Sequence, residues 1–129
     1  MRVLVLEDQP GAADEVVGNL VAAGVSIVRC HEPGSTDGVC VGMPGMQGCP
    51  LDTGVVDVAV SVRAEGGPVT VLEDGVRCAL RHHVPLVTVG VPEDSPWVAM
   101  ATETVTEPVE VTGAVLAAAQ APLQRHVAV

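Results

Sequence analysis

Short apolar runs alternate with segments of helical periodicity along most of this chain. Four runs rich in Val, Leu and Ile have the character of strands buried on both faces: residues 2–6, 25–29, 55–62 and 85–90. Three segments carry apolar residues at helical spacing and predict helices: residues 10–24, 74–83 and 111–124. Residues 97–105 are weaker in pattern and predict a fifth strand.

The alternation of strands and helices predicts the fold class. Strands that are separated by helices form a parallel sheet with helices on both of its faces. We therefore expect a three-layer α/β domain of the flavodoxin-like or receiver-like type. No linker divides the chain, so residues 1–129 are interpreted as one domain.

One segment, residues 30–53, shows neither helical nor strand-like periodicity. It holds three of the four cysteines together with five glycines and three prolines. A loop of this length inside so small a domain is either functional or disordered. We interpret it as a cysteine-, glycine- and proline-rich loop that wraps a centre held by thiolates.

Composition and charge narrow the classes of partner. The chain has 16 acidic residues against 6 arginines, no lysine, and a net charge of −10. Phosphate backbones would repel this charge, which argues against nucleic-acid binding, whereas a basic protein partner or a metal is easier to reconcile with it. No signal peptide or membrane-spanning run is visible, which predicts a cytoplasmic protein whose cysteines are reduced or bound to metal.

The four cysteines are the main candidates for chemistry. Cys30 ends the second predicted strand, Cys40 and Cys49 lie in the loop that follows, and Cys78 lies near the start of a helix. Ligands in open parallel sheets bind at the carboxyl ends of the strands, where these residues are expected. Four thiolates can complete an iron–sulfur cluster or a tetrahedral zinc site.

The spacing of the cysteines favours the iron–sulfur cluster over zinc. Zinc sites typically contain paired Cys-x-x-Cys knuckles, which are absent here, and Cys49-Pro50 is similar to the end of a bacterial ferredoxin ligand run. Zinc, a redox disulfide and four structural cysteines remain as alternatives. Cys78 falls roughly opposite Val76 and Leu80 at ~100° per residue, so it is expected to point outward from its helix.

Residues 3–10, VLVLEDQP, together with the order of the elements, resemble the receiver domain of bacterial response regulators. In that family the acidic pair after the first strand holds Mg²⁺, which implies the same role for Glu7 and Asp8. The pair has an alternative interpretation from the residues alone, as a helix cap and a solvated carboxylate. Asp8 or Gln9 is expected to be the cap, with Pro10 in the first turn and Gly24 as the left-handed closing residue.

The phosphoryl-transfer residues of that family are missing. Its phosphoacceptor aspartate ends the third strand, where this chain has Val62 and Arg63. A second register, based on MPGMQG at residues 43–48, places Cys40 at that position instead. The family's lysine after the fifth strand has no counterpart, and arginine does not replace its compact charge.

These observations predict a receiver-like protein that is not phosphorylated and is not an enzyme. We expect a redox or gas sensor that binds an iron–sulfur cluster through its four cysteines and signals through a protein partner. The alternative is a pseudo-receiver interaction module in which the cysteines are structural. The sequence leaves the partner, the signal and the oligomeric state open.

Overall fold

The computed structural model describes residues 1–31, 40, 48–53, 55–64 and 69–121. The strands in these ranges are β1 (Arg2–Glu7), β2 (Ser26–Val28), β3 (Val58–Val62), β4 (Leu86–Val89) and β5 (Glu103–Val105). The α-helices are α1 (Asp14–Ala22), α2 (Pro50–Thr53), α3 (Gly75–Arg81), α4 (Pro96–Met100) and α5 (Val111–Ala119). Two 3₁₀ turns, Val71–Glu73 and Pro108–Glu110, precede α3 and α5.

The five strands form one sheet in the order β2-β1-β3-β4-β5, and every neighbouring pair is parallel. This order is that of the flavodoxin-like doubly wound folds. The predicted fold class, a three-layer α/β sheet with helices on both faces, is therefore confirmed.

Each face of the sheet has its own hydrophobic layer. Val3 and Val5 of β1 point into the layer under α1 and α5, while Leu4 and Leu6 point into the layer under α2, α3 and α4. Successive residues of a strand face opposite sides, so a sheet covered on both sides needs the unbroken apolar runs seen in the sequence. All five residues of β3 are buried, as expected for a central strand.

The predicted strand over residues 97–105 is wrong in its first half. Residues 96–100 form α4, and only Glu103–Val105 joins the sheet. The Ser95 side chain accepts a hydrogen bond from the Trp97 amide at 3.2 Å, and Pro96 occupies the first turn. Serine followed by proline is a helix-start signal, and here it overrides the strand-like composition of the segment.

The start of α1 also differs from the prediction, whereas its end agrees. Residues 9–13 form turns, the helix begins at Asp14 after Ala13, and neither Asp8 nor Gln9 caps it. Gly24 has a φ of +83°, which confirms the left-handed residue expected after the helix.

The segment predicted as a loop, residues 30–53, contains the short helix α2 at its carboxyl end. Residues 32–39 and 41–47 of that prediction lie outside the described residues, as do residues 122–124 of the predicted last helix. No helix in the part of the chain that the structure describes is long and apolar enough to span a membrane.

Candidate functional site

The carboxyl edge of the sheet around β1 is where the fold can hold a ligand. β1 lies between β2 and β3, and the helices that precede these two strands, α1 and α2, pack on opposite faces of the sheet. Chain segments diverge at such a switch point and leave a crevice beyond the strand ends. Glu7 ends β1 at this edge, and Cys30 and Arg63 follow the ends of β2 and β3.

Cys30 follows β2 and is only 4% exposed. It packs into the layer under α3, where its sulfur touches the start of the helix at Gly75. A methyl group built on Gly75 would lie 2.7 Å from Cys30 Sγ and 2.5 Å from Leu6 Cδ2. Only glycine therefore permits the helix to approach the strand this closely, and the contact fixes the Cys30 sulfur against α3.

The other three cysteines act electrostatically on Cys30. Cys40, Cys49 and Cys78 are half-buried, and none of the four cysteines is in a disulfide. Burial, followed by the charges of Cys40, Cys49 and Cys78, raises the pKa of Cys30 from 9.0 to about 12. All three sulfurs are therefore close enough to Cys30 to act on its charge, although they come from separate parts of the sequence.

The four thiols lie in the same region of the fold but are not arranged as a metal site. Among the described residues, no group of three or more Cys, His, Asp or Glu side chains is arranged to hold a metal ion. A metal centre would require the sulfurs to move closer together and lose their protons. Coupling of this kind between metal binding and local folding is usual for thiolate sites.

The prediction that Cys78 points outward is wrong. The buried face of α3 is formed by Gly75, Val76 and Ala79, so Cys78 lies beside this face and packs at the margin of the core. Leu80 lies on the other side of the same face, because it is ~100° from the centre of the buried stripe. The buried face includes Gly75, which the apolar pattern does not reveal, and with Gly75 counted Cys78 lies at the margin of this face rather than opposite it.

Glu7 and Asp8 lie at the end of β1 with partners from the chain itself. Glu7 Oε1 accepts a hydrogen bond from the Ala13 amide at 3.1 Å, and Glu7 Oε2 lies 3.5 Å from an Arg29 guanidinium nitrogen. Asp8 Oδ1 accepts from the Ala64 amide at 3.1 Å. Both residues are buried rather than solvated. Magnesium binding by this pair stays a prediction, and these contacts would compete with it.

A buried ion pair that the sequence reasoning missed lies beside Asp8. Arg63 Nε and Nη2 donate to the two carboxylate oxygens of Glu73, each at 3.0 Å, and Glu73 is completely buried. The Thr70 amide also donates to Glu73 at 2.8 Å, so three hydrogen bonds satisfy the carboxylate. The side-chain hydrogen bond to Glu73 raises the pKa of Arg63 against the opposing effect of burial, and the charges of Glu73 and Asp8 raise it further, so the guanidinium stays charged.

A sequence signal for this pair existed. Thr70 and Glu73 have the spacing of a capping box, in which a glutamate reaches back to the amide of the cap residue, and the structure contains that box.

The structure also decides between the two registers considered for the third strand. β3 ends at Val62, which pairs with Glu7, so Arg63 follows the strand and Cys40 lies ahead of it.

Comparison of the chain with known protein families and with curated protein sequences finds no match. The candidate site is therefore defined by its own geometry, namely four neighbouring thiols beside a set of internally paired charges.

Proposed function

We propose that this protein is a receiver-like sensor that binds an iron–sulfur cluster through Cys30, Cys40, Cys49 and Cys78, and that it transmits redox or gas signals to a protein partner. The observation that supports this proposal best is the combined effect of the other three cysteines on the pKa of Cys30. Thiols near the carboxyl edge of a parallel sheet, outside any disulfide, are also where a bound group would be expected in this fold.

The chemistry of the residues fits such a group. Iron–sulfur clusters are held by cysteine thiolates, and no disulfide removes any of the four sulfurs from use. A bound cluster would supply one-electron redox chemistry and sensitivity to oxidants. The chain itself provides a buried position at Cys30, a close helix contact at Gly75 and a surrounding apolar layer that limits access of water.

Zinc is the alternative ligand for the same four residues. A tetrahedral zinc ion needs four thiolates and no inorganic sulfide, and it would stabilise the fold without redox activity. The two alternatives make different predictions for elemental analysis, so one preparation can separate them.

Anaerobic purification followed by iron, sulfide and zinc analysis tests the proposal. The expected protein is brown and contains iron and acid-labile sulfide, and each single Cys→Ser variant at 30, 40, 49 or 78 loses most of both. His82→Gln serves as the matched control, because this side chain is at the end of α3, 3.6 Å from Asp52, and is not one of the four proposed ligands.

Two outcomes would decide against the cluster. A colourless protein that stays free of iron and sulfide after anaerobic incubation with ferrous iron and sulfide would rule it out. Stoichiometric zinc that is lost in the same Cys→Ser variants would instead assign the site to zinc.

The second candidate function is a pseudo-receiver that only binds another protein, with structural cysteines. The position of Arg63 favours the absence of phosphoryl chemistry in either case, because this residue follows β3 and its charge is held beside Asp8. Incubation with acetyl phosphate and Mg²⁺ should leave the intact mass unchanged. A stable phosphorylated species would show that both candidate functions are mistaken on this point.

A further inference from the structure

A groove between α3 and α4 has the features of a peptide-binding surface. It is distant in sequence from three of the four cysteines. Two adjoining depressions of about 280 and 360 Å³ share Leu80 and Met100 as part of their walls. Trp97 lines the larger depression, and Met100 is 56% exposed although it is apolar. We refer to this surface as the α3–α4 groove.

The rim of the groove is basic in a protein that is otherwise strongly acidic. Arg77 and Arg81 line it and are one helical turn apart, and His83 lines the smaller depression. Residues 77–83 contain two of the six arginines and two of the four histidines of a chain whose net charge is −10. Neither arginine has an ion-pair partner among the described residues.

Two features of the groove floor involve Trp97. The Arg77 guanidinium carbon lies 5.9 Å from the centre of the Trp97 ring, so the cation is held over an aromatic face rather than by a carboxylate. Trp97 is 5% exposed, and its indole N–H has no acceptor in the part of the chain that the structure describes. A buried donor without an acceptor is unfavourable, so this side of Trp97 is a strained part of the groove wall, while the face of the ring is covered by Arg77.

We propose that the α3–α4 groove binds an acidic peptide segment of a partner protein, which places an apolar side chain against Leu80, Trp97 and Met100 and its carboxylates against Arg77 and Arg81. Charge complementarity identifies this occupant, since an apolar floor alone would not discriminate between partners. The inference deepens the proposed function by giving the chemistry of the partner, and the binding itself requires no metal.

Peptide selection from a random display library tests the proposal. The full chain is the target, and the Arg77→Glu/Arg81→Glu variant is the counter-target. Selected peptides should combine Asp or Glu with at least one large apolar residue. Their binding can be followed by the fluorescence of Trp97, which is the only aromatic residue in the chain.

Binding of a selected peptide should weaken at least ~10-fold in the Arg77→Glu/Arg81→Glu variant and should also weaken as salt is added. Arg2→Glu is the matched control, because it makes the same charge change at the amino end of β1, and it should leave the affinity within about twofold. Circular dichroism establishes that each variant is folded.

Three results would overturn the proposal. The first is selection of peptides without acidic residues, and the second is unchanged affinity in a folded Arg77→Glu/Arg81→Glu variant. The third is a dimer of the wild-type chain, seen by sedimentation, that this variant dissociates, because the occupant would then be a second copy. Peptide binding that persists in Cys78→Ser separates this inference from the outcome for the metal centre.

Discussion

The two halves of the carboxyl edge use polar groups in opposite ways. Beyond β1 and β3, Glu7, Asp8, Arg63 and Glu73 satisfy one another and the neighbouring amides. Beyond β2, the four cysteines lie near one another without any disulfide between them. The charged half therefore has its interactions completed within the chain, whereas the thiol half contains four sulfurs that no disulfide links.

This difference follows from how buried charges and buried thiols behave. Buried charges are stable only when they are paired and hydrogen-bonded, so the charged half holds the strand ends in place. Protonated thiols tolerate burial without partners, and they become ligands when a metal displaces their protons. The comparison predicts that mutations in the charged half affect mainly stability, and that changes in the thiol half depend on pH and on metal.

The largest expected effect is that of Glu73→Gln. This variant keeps the shape of the side chain but removes the carboxylate charge that Arg63 binds through two hydrogen bonds, at a cost of about 3–5 kcal/mol in the free energy of unfolding. Urea unfolding measures the loss. Adding Arg63→Met to Glu73→Gln should recover most of it, because the buried guanidinium that lost this partner is then absent.

Glu93→Gln is the control for this prediction. Glu93 is exposed in a turn, so its change should be within about 0.5 kcal/mol. If Glu73→Gln destabilised the protein by less than about 1 kcal/mol, the charged half would not have the structural role assigned to it.

The next effect is a loss of stability at alkaline pH. The pKa of the Cys30 thiol is 9.0 in the unfolded reference and about 12 in the folded, metal-free protein, so the folded state favours the protonated thiol. Its contribution is fully present below pH 9.0 and falls by about 1.4 kcal/mol for each pH unit from there towards 12. Unfolding in urea with a reductant, measured at several values of pH, gives this slope.

The composition makes the alkaline measurement unusually clear. The chain has no lysine and no tyrosine, so its cysteines are the side chains with reference pKa values closest to this range. Cys30→Ala should remove most of the slope. Parallel curves for the two proteins would show that Cys30 is not the group responsible.

The smallest expected effect concerns the helix contact that joins the two halves. Gly75→Ala places a methyl group against Leu6 and Cys30, and we expect a loss of about 1–3 kcal/mol from overpacking. Gly113→Ala, in α5, meets no atom within 4 Å and should instead stabilise the protein by about 0.5–1 kcal/mol. Thermal unfolding of both variants makes the comparison, and equal shifts would contradict the close contact.

The fold was largely predictable because apolar runs and helical periodicity report burial directly. The strand predicted at residues 97–105 was wrong in its first half, because Ser95 accepts a hydrogen bond from the Trp97 amide and Pro96 follows it, which together start a helix. The predicted orientation of Cys78 was wrong for another reason. A buried glycine has no apolar side chain, so a periodicity argument does not detect that Gly75 belongs to the buried face of α3.

The candidate site was predictable in part. The carboxyl ends of parallel strands meet at one edge, and this rule predicted from the sequence that Cys30 and the loop after it lie there. The pairing of Arg63 with Glu73 was not found because it joins the end of a strand to a 3₁₀ turn. The periodicity that predicts helices and strands contains no information about such long-range side-chain pairs.

The contact between Gly75 and the Cys30 sulfur has a mechanical consequence. Because a methyl group on Gly75 would already lie 2.7 Å from this sulfur, an oxygen atom added to the sulfur on the side facing α3 would press on the first turn of the helix. α3 is only seven residues long and ends at Arg81, so a shift of its buried end would also move the residues at its other end. Oxidation of Cys30 on that side would in this way reach the α3–α4 groove, which Arg77 and Arg81 line.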